Sequence, residues 1–289
     1  MVFLLILLVL CLLPDQAWAW GPGVHLAIAN TLLARTADLP QALVAILSAH
    51  PEHFLYGALS ADIFIGKGCT TTPTHSHNWD TARALWRTAH EPAHQAYAYG
   101  YLTHLAADVI AHNYLVPNLL GFSSGRGKLA HTYVEMLADL RVEWPQKQGS
   151  FLFRRPHSRS DALLLQAVHQ RTLPFTLKKH LFRRSLGLVE HQRYKGSLRL
   201  MQRILPFARQ DQLIDQAIGF AHDLALDILR NPVHSPAIAC DPVGSVSLAR
   251  VRGFQRKQRR YYATHGHGII FPLDTRLTPS LNINRESCT

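Results

Sequence analysis

The apolar stretch formed by residues 98–115 carries three polar side chains at helical spacing. His104, Asp108 and His112 stand at positions i, i+4 and i+8, so on an α-helix they share one face. Their neighbours are mostly apolar, which predicts a buried helix. Burying three such groups without partners would cost several kcal/mol. We interpret them as metal ligands; ordinary hydrogen bonds within a buried helix are the alternative.

The helix geometry bears on how many metal ions these residues could bind. Over eight residues a helix advances about 12 Å and its face turns by roughly 80°, so His104 and His112 do not readily meet at one ion. A carboxylate has two oxygens and can bridge two ions, and neutral imidazoles suit zinc. The spacing therefore predicts at least two metal ions, with Asp108 between them.

The first 19 residues have the features of a signal peptide. The apolar run of residues 2–13 is too short to span a bilayer, and Ala17-Trp18-Ala19 matches a small-residue cleavage site. The mature chain is thus predicted to start at Trp20 and to be secreted or periplasmic. No Lys or Arg precedes the apolar run, so an uncleaved N-terminal membrane anchor is the alternative.

The two halves of the 289-residue chain differ in charge. Residues 20–145 contain seven Lys and Arg against nine Asp and Glu, whereas residues 146–289 contain 23 against nine. A net charge of +14 in the second half fits either anionic lipid head groups or nucleic acid. A solvated basic surface that serves solubility is the third interpretation.

Helical periodicity recurs along the chain, and strand patterns are almost absent, which predicts an all-α fold. The helix that carries the three polar residues is predicted to run from Pro92 to Val116 and to stop at Pro117. We predict a metal-binding core over residues 20–145. Residues 146–289 would form a basic, mostly helical C-terminal region, either separate or part of the same domain.

Further candidate ligands lie before and after the central helix. His131 and Glu135 are i, i+4 neighbours in another helical pattern and can point at one ion. His75 and His77 lie in one loop, and either could be a ligand. The candidates are, in chain order, Trp20, His25, Asp62, His77, His104, Asp108, His112, His131 and Glu135.

The ordered motifs around these residues resemble the zinc-dependent phospholipase C family. They are Trp-Gly-Pro-Gly-Val-His (20–25), Gly-Ala-Leu-Ser-Ala-Asp (57–62), His-Asn-Trp (77–79), His-Leu-Ala-Ala-Asp-Val-Ile-Ala-His (104–112) and His-Thr-Tyr-Val-Glu (131–135). The resemblance extends to the N-terminal domain of glycosylphosphatidylinositol-specific phospholipase D and, more distantly, to single-strand-specific zinc nucleases. It implies an all-α fold with three zinc ions.

The resemblance also implies which residues hold each ion. Trp20 would bind the first ion through its α-amino group and carbonyl, together with His25 and one oxygen of Asp108. This arrangement requires cleavage before Trp20. The second ion would be held by His77, His104 and Asp108, with Asp62 close by. The ligands of the third ion would be His112, His131 and Glu135.

The reaction implied is the hydrolysis of a phosphodiester. Zinc ions neutralise the charge of the phosphodiester and lower the pKa of water towards neutrality, and Asp62 would act as a ligand, a general base or both. The leading hypothesis is an exported phospholipase C-like enzyme acting on phospholipid head groups. A zinc-dependent single-strand nuclease is one alternative, and a non-catalytic, zinc-stabilised protein that binds anionic lipid is another. Cysteine usage predicts that one pair among Cys69, Cys240 and Cys288 forms a disulfide in an oxidising compartment and that one thiol is left over; the sequence does not identify the pair.

Overall fold

The computed structural model describes residues 20–64, 74–122, 137–145, 147–170, 172–189, 196, 211–251, 253 and 270–282. Within these ranges the chain is helical and contains no strand, which confirms the predicted all-α fold. The α-helices are α1 Pro22–Ala34, α2 Gln41–Ala49, α3 Pro51–Ser60, α4 Trp79–Thr88, α5 Pro92–Ile110, α6 Val116–Phe122, α7 Gln148–Leu152, α8 Ser158–Ala167, α9 Thr172–Val189 and α10 Asp211–Arg230.

Several sequence predictions concern residues outside these ranges. They are the signal segment 1–19, the candidate ligands His131 and Glu135, and the cysteines Cys69 and Cys288. Cys240 is buried, and its thiol donates a hydrogen bond to an Asp274 carboxylate oxygen at 3.9 Å. No helix among the described residues has both the length and the apolar character needed to cross a membrane.

Helix α5 is the central element of the fold. Its residues from Gly100 to Ile110 are all buried, because apolar side chains surround the helix on every face. It packs against α3 and α10, and more peripherally against α1, α2 and α4. The predicted ligands His104 and Asp108 therefore lie inside the hydrophobic core.

Two glycines allow α3 and α5 to approach closely. A Cβ atom at Gly57 would lie 2.1 Å from the Tyr97 carbonyl oxygen, and one at Gly100 would lie 2.0 Å from the Phe54 carbonyl oxygen. Any larger residue at these positions would collide with backbone atoms of the other helix. This contact brings the end of α3, and the 3₁₀ turn Ala61–Ile63 that follows it, beside α5.

The prediction that the central helix stops at Pro117 is wrong. A π-helical turn, Ala111–Leu115, follows α5, and Pro117 lies in the first turn of α6. Proline lacks an N–H donor, and its ring collides with the carbonyl four residues earlier in a regular α-helix. The wider π turn immediately before the proline changes that spacing, so the helical path continues to Phe122.

The C-terminal region packs onto the same core. The Asn113 side-chain amide donates to the Asp241 carbonyl at 2.8 Å. The Asn118 side-chain oxygen accepts from the backbone N–H groups of Ile270 and Phe271, at 2.8 and 2.9 Å. Helix α10 buries its apolar face against α5. The predicted division at residue 145 stays a prediction, while described helices on both sides of it share one hydrophobic core.

The close contact of α3 and α5 yields a stability prediction. Gly100→Ala should lower the free energy of unfolding by about 1–3 kcal/mol, because the added methyl group overlaps backbone that cannot rotate away. Gly219→Ala in α10 is the matched control: its Cβ meets nothing within 4 Å, so it should gain about 0.5–1 kcal/mol. Urea unfolding followed by circular dichroism measures both. Equal stability of Gly100→Ala and the unmodified protein would contradict the packing described.

Candidate metal centre

Five of the predicted ligands converge at one buried point. They come from α1, from the 3₁₀ turn after α3, from the loop before α4, and from α5. All are less than a tenth exposed to solvent, and they are His25, Asp62, His77, His104 and Asp108. Their sequence positions span more than 80 residues, so only the helix packing brings them together.

Asp108 lies at the middle of this group. Its Oδ1 is 3.3 Å from the Nε2 of His25. Its Oδ2 is 3.2 Å from the Nε2 of His104 and 3.4 Å from the Nε2 of His77. The two oxygens of one carboxylate therefore face different imidazoles, which is the arrangement needed to share the carboxylate between two cations.

Asp62 provides the second carboxylate. Its Oδ1 is 3.1 Å from the Nε2 of His77 and 3.7 Å from the Nε2 of His104. Two sets of donor atoms lie within 4.8 Å of one another: one on His77, His104 and Asp108, the other on His25, Asp62 and His104. The first set equals the second-ion ligands implied by the family resemblance. The second set differs from the implied first-ion ligands in placing Asp62 and His104 beside His25.

The hydrogen bonding of these atoms tests whether a metal ion fits. Both oxygens of Asp108, the Oδ2 of Asp62 and the Nε2 of His25 are buried and have no hydrogen-bond partner among the described residues. Burying polar atoms without partners costs folding free energy unless another group compensates their charge. A cation does so, and a set of imidazole nitrogens and carboxylate oxygens is typical of zinc. The donors therefore fit zinc.

The electrostatics of the cluster also favour a cation. Burial lowers the pKa of His104, but the charges of Asp108 and Asp62 outweigh burial and raise it to about 9. Burial favours the neutral acid at Asp108, yet His104 and His25 hold the pKa of this carboxyl well below its usual range. The two carboxylates thus stay ionised, and a metal ion binding here would displace protons from imidazole.

Hydrogen bonds outside the cluster orient its imidazoles. The Nδ1–H of His104 donates to the Ala58 carbonyl at 2.8 Å, which leaves Nε2 facing the carboxylates. The Ser76 hydroxyl lies 3.1 Å from the Nδ1 of His77, and the Tyr101 hydroxyl donates to the Ser76 carbonyl. Sequence reasoning missed the Ala58 carbonyl and Ser76, because neither a backbone carbonyl nor a single loop serine has a distinguishing signal in a sequence.

The loop before α4 distinguishes the two neighbouring histidines. The Nε2 of His77 faces Asp62 and Asp108. The Nδ1 of His75 instead accepts a hydrogen bond from the backbone N–H of His77 at 3.0 Å, and the His75 carbonyl accepts from the Thr81 hydroxyl. His77 is therefore the member of the cluster, and His75 shapes the loop.

Trp20 and the start of α1 are held against the same region. The Trp20 indole N–H donates to the Ala107 carbonyl at 2.9 Å, one residue before Asp108. The carboxylate of Asp139 accepts the backbone N–H groups of Gly23 and Val24 at 3.1 and 2.9 Å. It thereby caps α1, which carries His25. Asp139 was not among the predicted residues, because 115 positions separate it from Val24.

His112 is buried in the π turn and belongs to neither of the two donor sets. Burial lowers its pKa to about 4, which keeps the ring in the neutral form that binds metals. Gly244, with a φ of 60°, packs against it, since a Cβ there would lie 2.4 Å from the His112 carbonyl oxygen. The other two predicted ligands of the third ion lie outside the described residues, so that site stays a prediction.

Comparison with known proteins identifies one match. A family model described as zinc-dependent phospholipase C matches residues 24–187, which is more than half of the chain. The matched region contains all five clustered residues. No curated protein and no solved structure matches the chain significantly.

Zinc content tests the position of Asp108. Asp108→Asn should remove zinc from more than one position, because its two oxygens face different imidazoles, whereas His112→Ala should remove at most one ion. Zinc per chain is measured by elemental analysis, and anomalous scattering locates the ions. Asp80→Asn, at an exposed carboxylate, is the control and should keep the full content. Loss of the same single ion in both variants would contradict a shared Asp108.

Proposed function

The chain belongs to the zinc-dependent phospholipase C family, and from this premise we propose that it is an exported zinc hydrolase that cleaves the phosphodiester of a phospholipid head group. The observation that carries the proposal is the buried cluster of three imidazoles and two carboxylates, in which three carboxylate oxygens have no hydrogen-bond partner among the described residues. A cation would compensate a cluster of this kind, and a bound metal ion promotes phosphodiester hydrolysis by activating water and neutralising charge.

We propose three zinc positions. His77, His104 and Asp108 would hold one ion, and Trp20, His25 and Asp108 another. Asp62 adjoins both of these ligand sets. Its Oδ1 lies within hydrogen-bond distance of the Nε2 of His77, and its buried Oδ2 has no hydrogen-bond partner among the described residues. The third ion would be held by His112, His131 and Glu135.

The chemistry divides between the metal and the protein. Zinc supplies Lewis acidity there, because it acidifies water and neutralises the charge of a phosphodiester. The side chains of the protein bind and transfer protons. Asp62 is ionised at neutral pH, since His104 and His77 keep its pKa below the usual value in spite of burial. Its Oδ2 accepts the proton of the attacking water, and the orientation of His77 and His104 keeps the donor nitrogens in place.

Export is a further part of the proposal. Cleavage after Ala19 would make Trp20 the first residue and supply the α-amino group that the implied first-ion site uses. The hydrogen bond from Trp20 to Ala107 supports this proposal, because it keeps Trp20 next to Asp108. An uncleaved anchor would leave that amino group in a peptide bond, where it cannot bind zinc.

Turnover of two substrates tests the proposed activity. The zinc-loaded protein should hydrolyse phosphatidylcholine vesicles and leave single-stranded DNA intact. Asp62→Asn should lower kcat on the vesicles by roughly 10²–10⁴-fold, the usual contribution of a positioned general base. Asp80→Asn should retain activity.

Two results would reject the phospholipase proposal. Turnover of DNA alone would make the chain a nuclease. No turnover of either substrate at full zinc occupancy would favour a non-catalytic zinc protein.

The N-terminus gives an independent prediction. The mature protein should contain about three zinc ions per chain, and one additional residue before Trp20 should cost one ion, because the α-amino group is then acylated or displaced. Native mass spectrometry counts the ions. One additional residue after Thr289 is the control. An unchanged zinc content in the N-terminally extended protein would reject ligation by Trp20.

A further inference from the structure

Helix α9 has an apolar outer face. Its inner face buries Phe175, Phe182 and Leu186 in the core. On the opposite side, a set of side chains four residues apart is exposed: Leu173 at 85%, Leu177 at 63% and Leu181 at 51%. Single exposed leucines are ordinary, but three aligned along one helix form a continuous patch. We call these three the leucine stripe.

Basic side chains accompany the leucine stripe. At 100° per residue, Arg184 lies on the same face of α9, while Lys178 and Arg183 lie on either side of it. Helix α9 contains no acidic residue. None of these three cations forms an ion pair with the acids that the structure describes. Lys179 differs, because its ammonium forms an ion pair with Asp161 of α8 at 2.6 Å and so holds α9 against the rest of the protein.

The inner face of α9 packs next to the 3₁₀ turn of the metal centre. The ring of Phe175 lies 5.5 Å from that of Phe64, and the Lys178 ammonium is 5.9 Å from the same ring. Phe64 directly follows the 3₁₀ turn that carries Asp62. Helix α9 therefore borders the turn that carries Asp62 through its inner face, and the leucine stripe lies on the opposite, outward side of the same helix.

We propose that the leucine stripe docks the protein onto an anionic phospholipid surface. Leucines enter the boundary of the acyl chains, and flanking Lys and Arg bind head-group phosphates, which is how an interfacial helix associates with a bilayer. The proposal rests on the proposed function for the identity of the substrate. The docking itself requires no catalysis.

Charge argues against two other occupants of the stripe. A second copy of this chain docked face to face would place the basic residues Lys178, Arg183 and Arg184 against the same basic face of the partner, and like charges repel. The chain segment 190–210 carries five Lys and Arg and a single Glu, so it also lacks the charge that complements α9. An anionic bilayer complements both the apolar and the basic side chains.

Vesicle flotation of the zinc-loaded protein tests the proposal without any reaction. Binding should be stronger to phosphatidylcholine vesicles containing phosphatidylserine than to phosphatidylcholine alone, and should weaken in about 0.5 M salt. Leu173→Gln and Leu177→Gln should each lower the partition coefficient about tenfold. Arg184→Glu should lower it about tenfold on the anionic vesicles only. Val246→Ser removes an aliphatic side chain that is 59% exposed elsewhere and should change nothing.

Activity on a monomeric short-chain phospholipid separates this proposal from the proposed function. The α9 variants should keep kcat on that soluble substrate and lose turnover on vesicles only. Equal vesicle binding by Leu177→Gln and the unmodified protein would overturn the docking proposal while leaving the activity in place. A shift from dimer to monomer in Leu177→Gln on size exclusion would also overturn it, since the stripe would then be a self-association surface.

Discussion

The structure depends on groups that offset the negative charge of one buried carboxylate, that of Asp108. Asp108 is completely inaccessible to solvent, and neither of its oxygens has a hydrogen bond among the described residues. Three imidazoles from α1, α5 and the loop before α4 surround it at 3.2–3.4 Å. An ionised carboxylate in the core is stable only beside positive charge. We therefore expect metal binding to stabilise the fold, because a cation there offsets the charge of the buried carboxylate.

The helices around Asp108 are placed by backbone contact. Gly57 and Gly100 bring α3 against α5, and this contact lets the Ala58 carbonyl accept the Nδ1–H of His104. The start of α1 is held differently, through hydrogen bonds from the backbone N–H groups of Gly23 and Val24 to the Asp139 carboxylate. The positions of the imidazoles thus follow from the packing of the core. Residues outside the donor cluster control the geometry of the imidazoles and carboxylates within it.

Much of the fold and part of the site could be predicted from local patterns. Periodicity predicted the all-α fold, and the i, i+4 spacing placed His104 and Asp108 on one face, as the structure has them. The end of the central helix could not be predicted, because a π turn before Pro117 changes the geometry that makes proline a helix terminator. The basic C-terminal half was visible as net charge. The sequence does not show that three leucines of α9 point outwards, because this depends on which face of the helix packs against the core.

The sequence by itself determined the donor types, the helical spacing of His104 and Asp108 and, through its ordered motifs, the family. These are local properties, set by side-chain chemistry and by the fixed rise and twist of an α-helix. Tertiary structure decided that His25, Asp62 and His77 meet Asp108, that His77 and not His75 faces the carboxylates, and that Asp139 caps α1. These are contacts between segments far apart in the chain, and their distances depend on how closely whole helices pack.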